Sequence, residues 1–382
     1  MDFIVFSDDW GRHPSSCQHI FSVISQRHKV LWVNTVGMRV PTLSQGYDMS
    51  RSLEKIKSWF LPLKRHNENL CAYSPFMLPF QDNRAVDVLN TVSVVSGICF
   101  FKRLLGMKDV ITWVTVPNVD KIVGHLGEKL IIYNCVDDFS HWPGGNTALI
   151  QAQEKKLLEK AHLALGSSQA LVNRCKRHNE KSFLFSHGVN IRHFQDFDRS
   201  DVPEKIKDIK TPIIGFFGLL YEKIDFDLII KVARAYPDAT VVLVGKQARD
   251  VSALEAEPNI RLIGSVPFSE LPKYAARFDV GLLPYVLDEE KQQSAPLKIK
   301  EYLSIGFPVV CVRVPDVEKF SDILYIADNE NDYIEKVGTA LKNDTLEKRK
   351  LRMKAVEHES WENKVEIVSE ILKKEYGIDI HV

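Results

Sequence analysis

The chain has 382 residues, of which 45% are hydrophobic and 26% are charged, and its formal net charge at pH 7 is zero. The chain is longer than a typical domain with a single hydrophobic core, so we expect two domains. The composition excludes extensive disorder. The balanced charge and the absence of a basic-aromatic RNA motif argue against a nucleic-acid-binding protein.

Charge is distributed unevenly between the halves. Residues 1–200 hold 24 basic and 18 acidic side chains, a net charge of +6, and the remainder carries −6. The first half is therefore the one expected to meet an anionic partner. The start, "MDFIVFSDDW", lacks the basic region of a signal peptide, and the six cysteines are scattered without a C-x-x-C pair. We expect a cytoplasmic protein.

Short apolar, β-rich segments alternate with helical patterns along the chain. The first half has expected strands at 3–7, 29–34, 110–116, 129–136, 163–168 and 181–188, with helices at 16–28 and 147–163. The second half has strands at 212–218, 240–245, 259–264, 279–285 and 308–312, with helices at 225–235, 269–276, 296–305 and 344–375. This rhythm predicts an α/β fold with two parallel-sheet lobes facing a central cleft.

The charged segment 196–211 has no apolar periodicity and is the expected linker. We therefore place the domains at 1–200 and 201–359, and the first is expected to be completed by the C-terminal helix 360–382. The dinucleotide fingerprint G-x-G-x-x-G and the P-loop signature are both absent, which weakens dehydrogenase and P-loop interpretations.

The stretch "SAPLKIKEYLSIGFPVV" (294–310) sets a cation and a carboxylate on one face of a short helix. Pro296 suits the first turn, Gly306 the C-terminal stop, and Lys298 and Glu301 are three residues apart. A helix N-terminus with a lysine favours a diphosphate, and a carboxylate one turn later can accept two hydrogen bonds from a ribose diol. The alternative is an ordinary Lys–Glu pair on a solvated helix.

This stretch closely resembles the P-x-K-x-x-E-Y-L-A-x-G-x-P-V-V signature of GT-B glycosyltransferases of the group-1-like family, which builds bacterial polysaccharides. "FDVGLLPY" (278–285), "HGVNIRHF" (187–194) and "GFFGLLYEKIDFDLI" (215–229) are similar to other segments of that family. The resemblance implies two Rossmann-like lobes, with the acceptor on the first and a nucleotide-sugar donor held mainly by the second.

The resemblance also implies roles for residues of the donor site. Glu301 would hold the ribose hydroxyls and Lys298 the diphosphate. Gly218 would let the backbone approach the phosphates, and Lys223 occupies the position of a phosphate-binding lysine, although a solvated first-turn lysine is nearly as good an interpretation. No metal cofactor is expected.

The segment "SVPFSELPKY" (265–274) is implied to lie beside the nucleobase, with Pro267 and Phe268 as candidate contacts; Phe268 could equally be a core residue. One position departs from the family pattern. Many members carry a second glutamate eight residues before the ribose-binding one, and here that residue is Gln293. Mechanism and sugar specificity cannot simply be carried over from those members.

Two carboxylates follow the strand in "YNCVDDFSHW" (133–142). Asp137 and Asp138 should emerge at the carboxyl end of that strand, where a carboxylate could take a proton from an acceptor hydroxyl. The family commonly places an Asp or His here, and we favour Asp138 narrowly over Asp137. An N-cap or turn pair is the alternative, and in a retaining reaction the acid would only orient the sugar.

The loop "SDDWGRHPSSCQHIF" (7–21) follows the first strand and is expected to border the cleft. By the resemblance, Gly11 corresponds to a small-residue turn near the donor phosphates. Trp10, Arg12 and His19 are candidate contacts for the acceptor or its phosphate, although a histidine on a helix face is more often structural.

Two segments in the positive half combine basic and aromatic residues. "RSLEKIKSWFLPLKR" (51–65) holds five basic residues and one acid with apolar residues at helical spacing, and 93–108 repeats the pattern. Such segments are typical of contacts with an anionic membrane surface, whereas core helices with a basic edge are the alternative.

Together these features predict a cytoplasmic enzyme at the inner face of the cell membrane. It would transfer a sugar from a nucleotide sugar, with UDP as the expected nucleotide, to a lipid-linked saccharide in exopolysaccharide or cell-surface polysaccharide biosynthesis. Two alternatives stay open: a nucleotide-sugar 2-epimerase of the same fold, and a non-catalytic nucleotide-sugar-binding partner.

Overall fold

The computed structural model describes residues 1–12, 15–34, 62–76, 84–141, 146–287 and 297–380. They form two compact units. The first comprises Met1–Ser186 and Lys364–Val382, and the second His187–Asn363.

The first unit is built on an eight-stranded sheet, ordered β3-β4-β2-β1-β5-β6-β7-β8. Its strands are Asp2–Phe6 (β1), Val30–Val33 (β2), Leu63–Arg65 (β3), Leu70–Tyr73 (β4), Val110–Val114 (β5), Leu130–Cys135 (β6), Leu163–Gly166 (β7) and Ser182–Leu184 (β8). All pairings are parallel except that of β3 with β4. Apart from the half-buried Asp2, every residue of the central strands β1, β2, β5 and β6 is buried, as expected for a parallel sheet covered on both faces.

Helices connect these strands. They are Ser16–Ile24 (α1), Arg84–Leu104 (α2), Thr147–Lys160 (α3) and Gln169–Lys176 (α4). Side chains of Ser15, Asn146 and Ser168 cap the N-termini of α1, α3 and α4 by accepting backbone hydrogen bonds.

Helix α2 is long and apolar, and its inner face packs on the first unit. Asn90, Val94 and Ile98 are buried, and Phe101 packs against Tyr73 of β4 with ring centroids 4.9 Å apart. Among the described residues, Ala85–Leu104 is the one segment long and apolar enough to cross a membrane by length and composition. It serves here as the crossover between β4 and β5.

The second unit contains a six-stranded parallel sheet, ordered β11-β10-β9-β12-β13-β14. The strands are Ile213–Phe217 (β9), Thr240–Val244 (β10), Ile260–Gly264 (β11), Val280–Leu283 (β12), Val309–Val312 (β13) and Tyr325–Ala327 (β14). The helices are Ile191–Gln195 (α5), Phe226–Ala235 (α6), Ser252–Glu255 (α7), Leu271–Ala275 (α8), Leu297–Ile305 (α9), Glu330–Lys342 (α10) and Leu346–Lys354 (α11). Trp361–Tyr376 (α12) begins in this unit and continues into the first.

The unit boundary lies at residues 186 and 187 and not at the predicted 200 and 201. Val189, Phe194 and Ile206 are buried in the core of the second unit, so the segment after β8 is already part of it. The charged segment 196–211 is therefore a surface segment of the second unit and not a linker between domains.

Two helix predictions also need correction. The helix expected over 344–375 is interrupted: α11 ends at Lys354 and α12 begins at Trp361. In the segment 51–65, residues 51–61 lie outside the described part of the chain, whereas 63–65 form the edge strand β3 and are not helical.

Candidate nucleotide site in the second unit

Glycines occupy the carboxyl edge of the second sheet. Gly218 directly follows β9 with φ of 145°, and Gly245 directly follows β10 with φ of 155°. A Cβ atom on Gly245 would lie 1.8 Å from the carbonyl oxygen of Gly218, so the two backbones approach too closely for any side chain. The next strand ends at Gly264, whose carbonyl accepts from the Gly245 N–H at 2.9 Å. This edge is therefore a backbone surface, of the kind that can approach a ligand closely.

Helix α9 places a lysine over this edge. A Cβ atom on Gly218 would lie 2.2 Å from Cε of Lys298 and 2.9 Å from its Nζ. The expected reason for glycine at 218 was an approach of the phosphates; the structure adds a second reason, which is the passage of the Lys298 side chain. The ammonium group of Lys298 is thereby held at the carboxyl ends of the strands, where parallel α/β sheets bind their ligands.

Glu301 lies one turn further along α9, and the two charges interact in a partly buried setting. Burial raises the pKa of Glu301 to about 7, although the positive charge of Lys298 opposes this shift. Burial also lowers the pKa of Lys298, with Glu301 opposing. A solvated surface pair would show neither effect, so the interpretation of 298 and 301 as an ordinary surface pair is not supported.

Tyr302, the next residue on α9, fastens the helix to the sheet. Its hydroxyl accepts from the N–H of Phe217 at 3.1 Å and donates to the carbonyl of Leu282 at 3.3 Å. Tyr285 lies near Glu301, and burial followed by the charge of Glu301 raises the pKa of its hydroxyl. The lysine and the glutamate are thus carried on a helix whose position is set by the strand ends beside them.

The remaining donor-site predictions have mixed environments. Lys223 is half-buried, and its carbonyl accepts from the N–H of Val286 at 3.0 Å. Pro267 is exposed, and Phe268 is partly buried with His193 stacked on its ring at 4.1 Å, so that face is already covered. Gln293 lies outside the described residues.

Asp138 in the first unit is buried in a network of polar contacts. The carboxylate is 3% exposed, forms an ion pair with Arg174 and accepts from the N–H and hydroxyl of Ser140 at 3.0 and 2.6 Å. Burial opposes ionisation, but the hydrogen bonds from Ser140 and the charge of Arg174 outweigh it and lower the pKa of Asp138. A buried carboxylate with a lowered pKa is a poor proton acceptor, which does not favour Asp138 as the base, and the choice between Asp137 and Asp138 stays a prediction.

Arg174 joins this carboxylate to a second one. It donates to Glu154 at 2.5 Å, and Glu154 accepts from the hydroxyl of Tyr133 at 2.8 Å. Glu154 and Arg174 come from α3 and α4, and Asp138 follows β6, so the network joins three elements of the first unit. Asp137 is less buried than Asp138 and accepts from the Asp138 N–H at 2.9 Å. Of the two predicted acids, Asp137 is the more exposed, which favours it as the candidate base, and its catalytic role stays a prediction.

In the loop after β1, residues 10–12 form a turn. The N–H of Gly11 donates to Gln18 at 2.9 Å and is therefore already engaged, which does not support the expected phosphate contact. Trp10 is partly buried, and its ring packs edge-on against Trp32 with centroids 4.7 Å apart. Arg12 is exposed and 3.9 Å from the carboxylate of Asp9.

His19 lies partly buried on α1. The structure brings Trp10, Gly11 and Arg12 together in one loop, and the acceptor role of all four residues stays a prediction.

Two contributors to these sites were not among the predicted residues. Gly245 closes the segment "TVVLVG". A glycine directly after a buried strand could have identified it from the sequence, because Gly218 occupies the same position after the neighbouring strand. Arg174 carried no such signal, since it lies 36 positions from Asp138 and its partner is set by the fold.

Comparison with known structures identifies the fold. The chain superimposes on Anabaena HepE (Alr3699) in complex with UDP and glucose with a TM-score of 0.70, 13% identity and coverage of 98% of this chain and 100% of that chain. An E. coli trehalose-6-phosphate structure bound with UDP-2-fluoro glucose matches with a TM-score of 0.68, 11% identity and coverage of 97% and 99%. The protein has the GT-B fold, as predicted.

The family match falls on the second unit. Residues 211–343 match the family described as "Glycosyl transferases group 1", which includes the glycine edge and all of α9. Within this stretch the resemblance noted from the motifs is confirmed.

A curated relative aligns with part of the chain. It is the glycosyltransferase TuaH of Bacillus subtilis (strain 168), named for teichuronic acid biosynthesis, and it is 27% identical over 223 residues. The alignment covers 54% of this chain and 56% of the relative, so the chain spans about half the length of the curated relative that it matches.

Proposed function

We propose that this protein is a glycosyltransferase that transfers a sugar from a UDP-sugar donor to an acceptor saccharide in polysaccharide biosynthesis. The observation that carries the proposal is the placement of Lys298 and Glu301 on α9 beside the backbone edge at Gly218, within the stretch that matches the group 1 family. Relatives of the same fold bind UDP and a UDP-sugar analogue, and the curated relative is named for polymer biosynthesis; both support the proposal.

The site can stabilise a diphosphate leaving group. Lys298 would neutralise the charge that develops on the diphosphate as the glycosidic bond breaks, and the glycine edge lets backbone groups approach it. Glu301 would accept hydrogen bonds from both ribose hydroxyls and so fix the donor relative to the lysine. No step in this scheme uses a metal ion, and the absence of a metal requirement stays a prediction.

On the acceptor side we assign the catalytic role to Asp137. If the reaction inverts the anomeric centre, Asp137 would remove the acceptor proton. If it retains configuration, Asp137 would orient the sugar, and the leaving phosphate would accept the proton. The buried Arg174–Asp138 pair would hold the segment that carries Asp137.

We further propose that the acceptor is lipid-linked and that the enzyme works at the inner face of the cell membrane, with α2 lying on the lipid surface. Helix α2 carries a row of apolar side chains that are more than half exposed: Val88, Leu89, Val92, Phe100 and Leu104. From Val88 to Leu104 this row is about 24 Å long. Crossover helices of α/β folds ordinarily present a polar outer face to water, so this row calls for an apolar partner.

Lipid is the partner that this row fits best. It is a single convex helix face and no groove, and Arg103 is exposed at its C-terminal end, where it can meet an anionic head group. The first half of the chain also carries the net charge of +6 noted above.

Donor turnover tests the enzymatic proposal. The protein is incubated with UDP-sugars in the presence and absence of saccharide-lipid extracts, and UDP release is measured with analysis of the sugar products. A glycosyltransferase releases UDP in proportion to sugar bound to the acceptor. A 2-epimerase consumes donor without acceptor, and a binding partner gives no turnover although UDP raises its thermal stability.

Co-sedimentation with vesicles tests the membrane proposal. We expect the wild-type protein to bind phosphatidylglycerol-containing vesicles. The double substitution Leu89→Glu/Phe100→Glu should reduce binding about tenfold or more, because it removes two apolar side chains that the lipid would bury. The matched control is Leu346→Glu/Leu351→Glu, which changes two exposed leucines of α11 in the second unit. Equal binding of both variants, or a dimer that dissociates in the α2 variant, would contradict the lipid assignment.

A further inference from the structure

The chain passes between the two units twice, and the residues just inside the second unit are joined to each other. The first crossing is at 186/187 and the second at 363/364. Close to them, the N–H of Val189 donates to the carbonyl of Glu359 at 2.8 Å, and Val189 and Ser360 form a parallel bridge. The segments 187–189 and 359–360, named here the crossing segments, therefore act as one local structure.

A buried lysine of the donor helix contacts both crossing segments. Lys300 lies between Lys298 and Glu301 in the sequence of α9, and its side chain is 6% exposed. Its ammonium group donates to the carbonyl oxygen of His187 and to the carboxylate of Glu359, one partner from each segment. Residues 298 and 301 share a face of the helix, whereas 300 projects from a different face.

The rest of α9 is held firmly, so the helix has little freedom to deform. Arg352 donates to the carbonyl of Gly306 at 2.8 Å, and Arg349 and Arg199 donate to that of Ile305 at 3.2 and 3.4 Å. Because the helix is fixed at its carboxyl end and along its sheet face, a displacement of its first turns can reach the crossing segments through the contacts of Lys300.

A buried cation is a costly way to fill space, since an apolar side chain of the same length would pack without desolvation. The lysine also adds something that a methionine cannot, because its ammonium group donates hydrogen bonds to two partners from chain segments more than 170 positions apart. These contacts suit a side chain that fixes the position of the helix relative to the crossing segments.

We propose that Lys300 is a positioning residue that couples nucleotide binding on α9 to the order of the two crossing segments. The inference rests on the proposed function, because it takes a nucleoside diphosphate as the ligand of Lys298 and Glu301. Linkage then requires that bound nucleotide stabilise the crossing segments and that loss of the Lys300 contacts weaken nucleotide binding.

Hydrogen exchange of the full-length protein with and without UDP tests the coupling. In the wild type we expect UDP to slow exchange in 215–218 and 297–302, and also in the crossing segments, including the Val189 amide. Lys300→Met should retain slowed exchange in 215–218, lose it in the crossing segments, and bind UDP about fivefold or more weakly. Glu359→Gln serves as a second variant, because it keeps an acceptor while removing the charge.

The matched control is Lys231→Met, which removes a half-exposed ion pair with Glu330 in the same unit and should leave both exchange responses unchanged. UDP-dependent protection of the crossing segments that is equal in wild type and Lys300→Met would overturn the coupling. So would a wild type protected at 297–302 but not at the crossing segments. Absence of any protection at 215–218 and 297–302 would instead refute the proposed function, and the coupling with it.

Discussion

Replacing Glu301 by glutamine should stabilise the unliganded protein and weaken its response to UDP. Burial raises the pKa of this carboxyl from 4.5 to about 7, and at 1.36 kcal/mol per unit the folded state spends about 3 kcal/mol to ionise it. The folded state therefore binds more protons than the unfolded chain between these values. The stability contributed by the raised pKa is fully present below about pH 4.5 and is lost as pH rises through about 7.

Glutamine resembles the protonated carboxyl, so the variant keeps that stability at every pH. Relative to wild type, the free energy of unfolding of Glu301→Gln should be higher by less than about 1 kcal/mol at pH 5 and by about 3 kcal/mol at pH 8.5. Urea denaturation followed by circular dichroism at the two pH values measures this difference. The exposed Glu335→Gln on α10 is the control and should show no pH-dependent change.

The ligand response should move in the opposite direction. UDP should raise the melting temperature of the wild type. For Glu301→Gln the same rise should need at least about a tenfold higher UDP concentration, because the charged acceptor of the ribose hydroxyls is gone. A Glu301→Gln protein that is less stable than wild type at pH 8.5, or whose stability gain is the same at both pH values, would refute the burial argument. Unchanged UDP binding would refute the ribose assignment.

Four further substitutions separate the roles assigned above. Gly218→Ala places a Cβ 2.2 Å from Cε of Lys298 and should weaken UDP binding about tenfold in titration calorimetry, with unaltered binding counting against the site. Arg174→Met leaves buried carboxylates unpaired and should lower the free energy of unfolding by about 3–5 kcal/mol in urea, whereas a loss below about 1 kcal/mol would show that the network is solvated. Asp137→Asn should lower kcat with little change in donor KM, and an equal kcat for wild type and variant would remove Asp137 from the reaction; Asp138→Asn should mainly lower stability.

Much of the fold and part of the site followed from local sequence. Short apolar runs separated by helical periods are a local property, so the strand–helix rhythm predicted both parallel sheets and most element positions. The pairing of Lys298 and Glu301 could also be predicted from the sequence, because a spacing of three residues on one short helix puts both side chains on the same face, whatever surrounds the helix. Gly218 was identified from the family resemblance, and the structure places it directly after a buried strand.

Tertiary structure decided what depends on residues far apart in the chain. Asp137 and Asp138 are equivalent in local sequence, and their environments are made different by Arg174, which reaches Asp138 from another helix. The unit boundary, the close approach of Gly245 to Gly218, and the contacts of Lys300 with both crossing segments are likewise set by packing. Spacing along a chain determines which side chains share a face, whereas the partner that meets each face is determined by the global fold, and this partner sets its burial, charge and pKa.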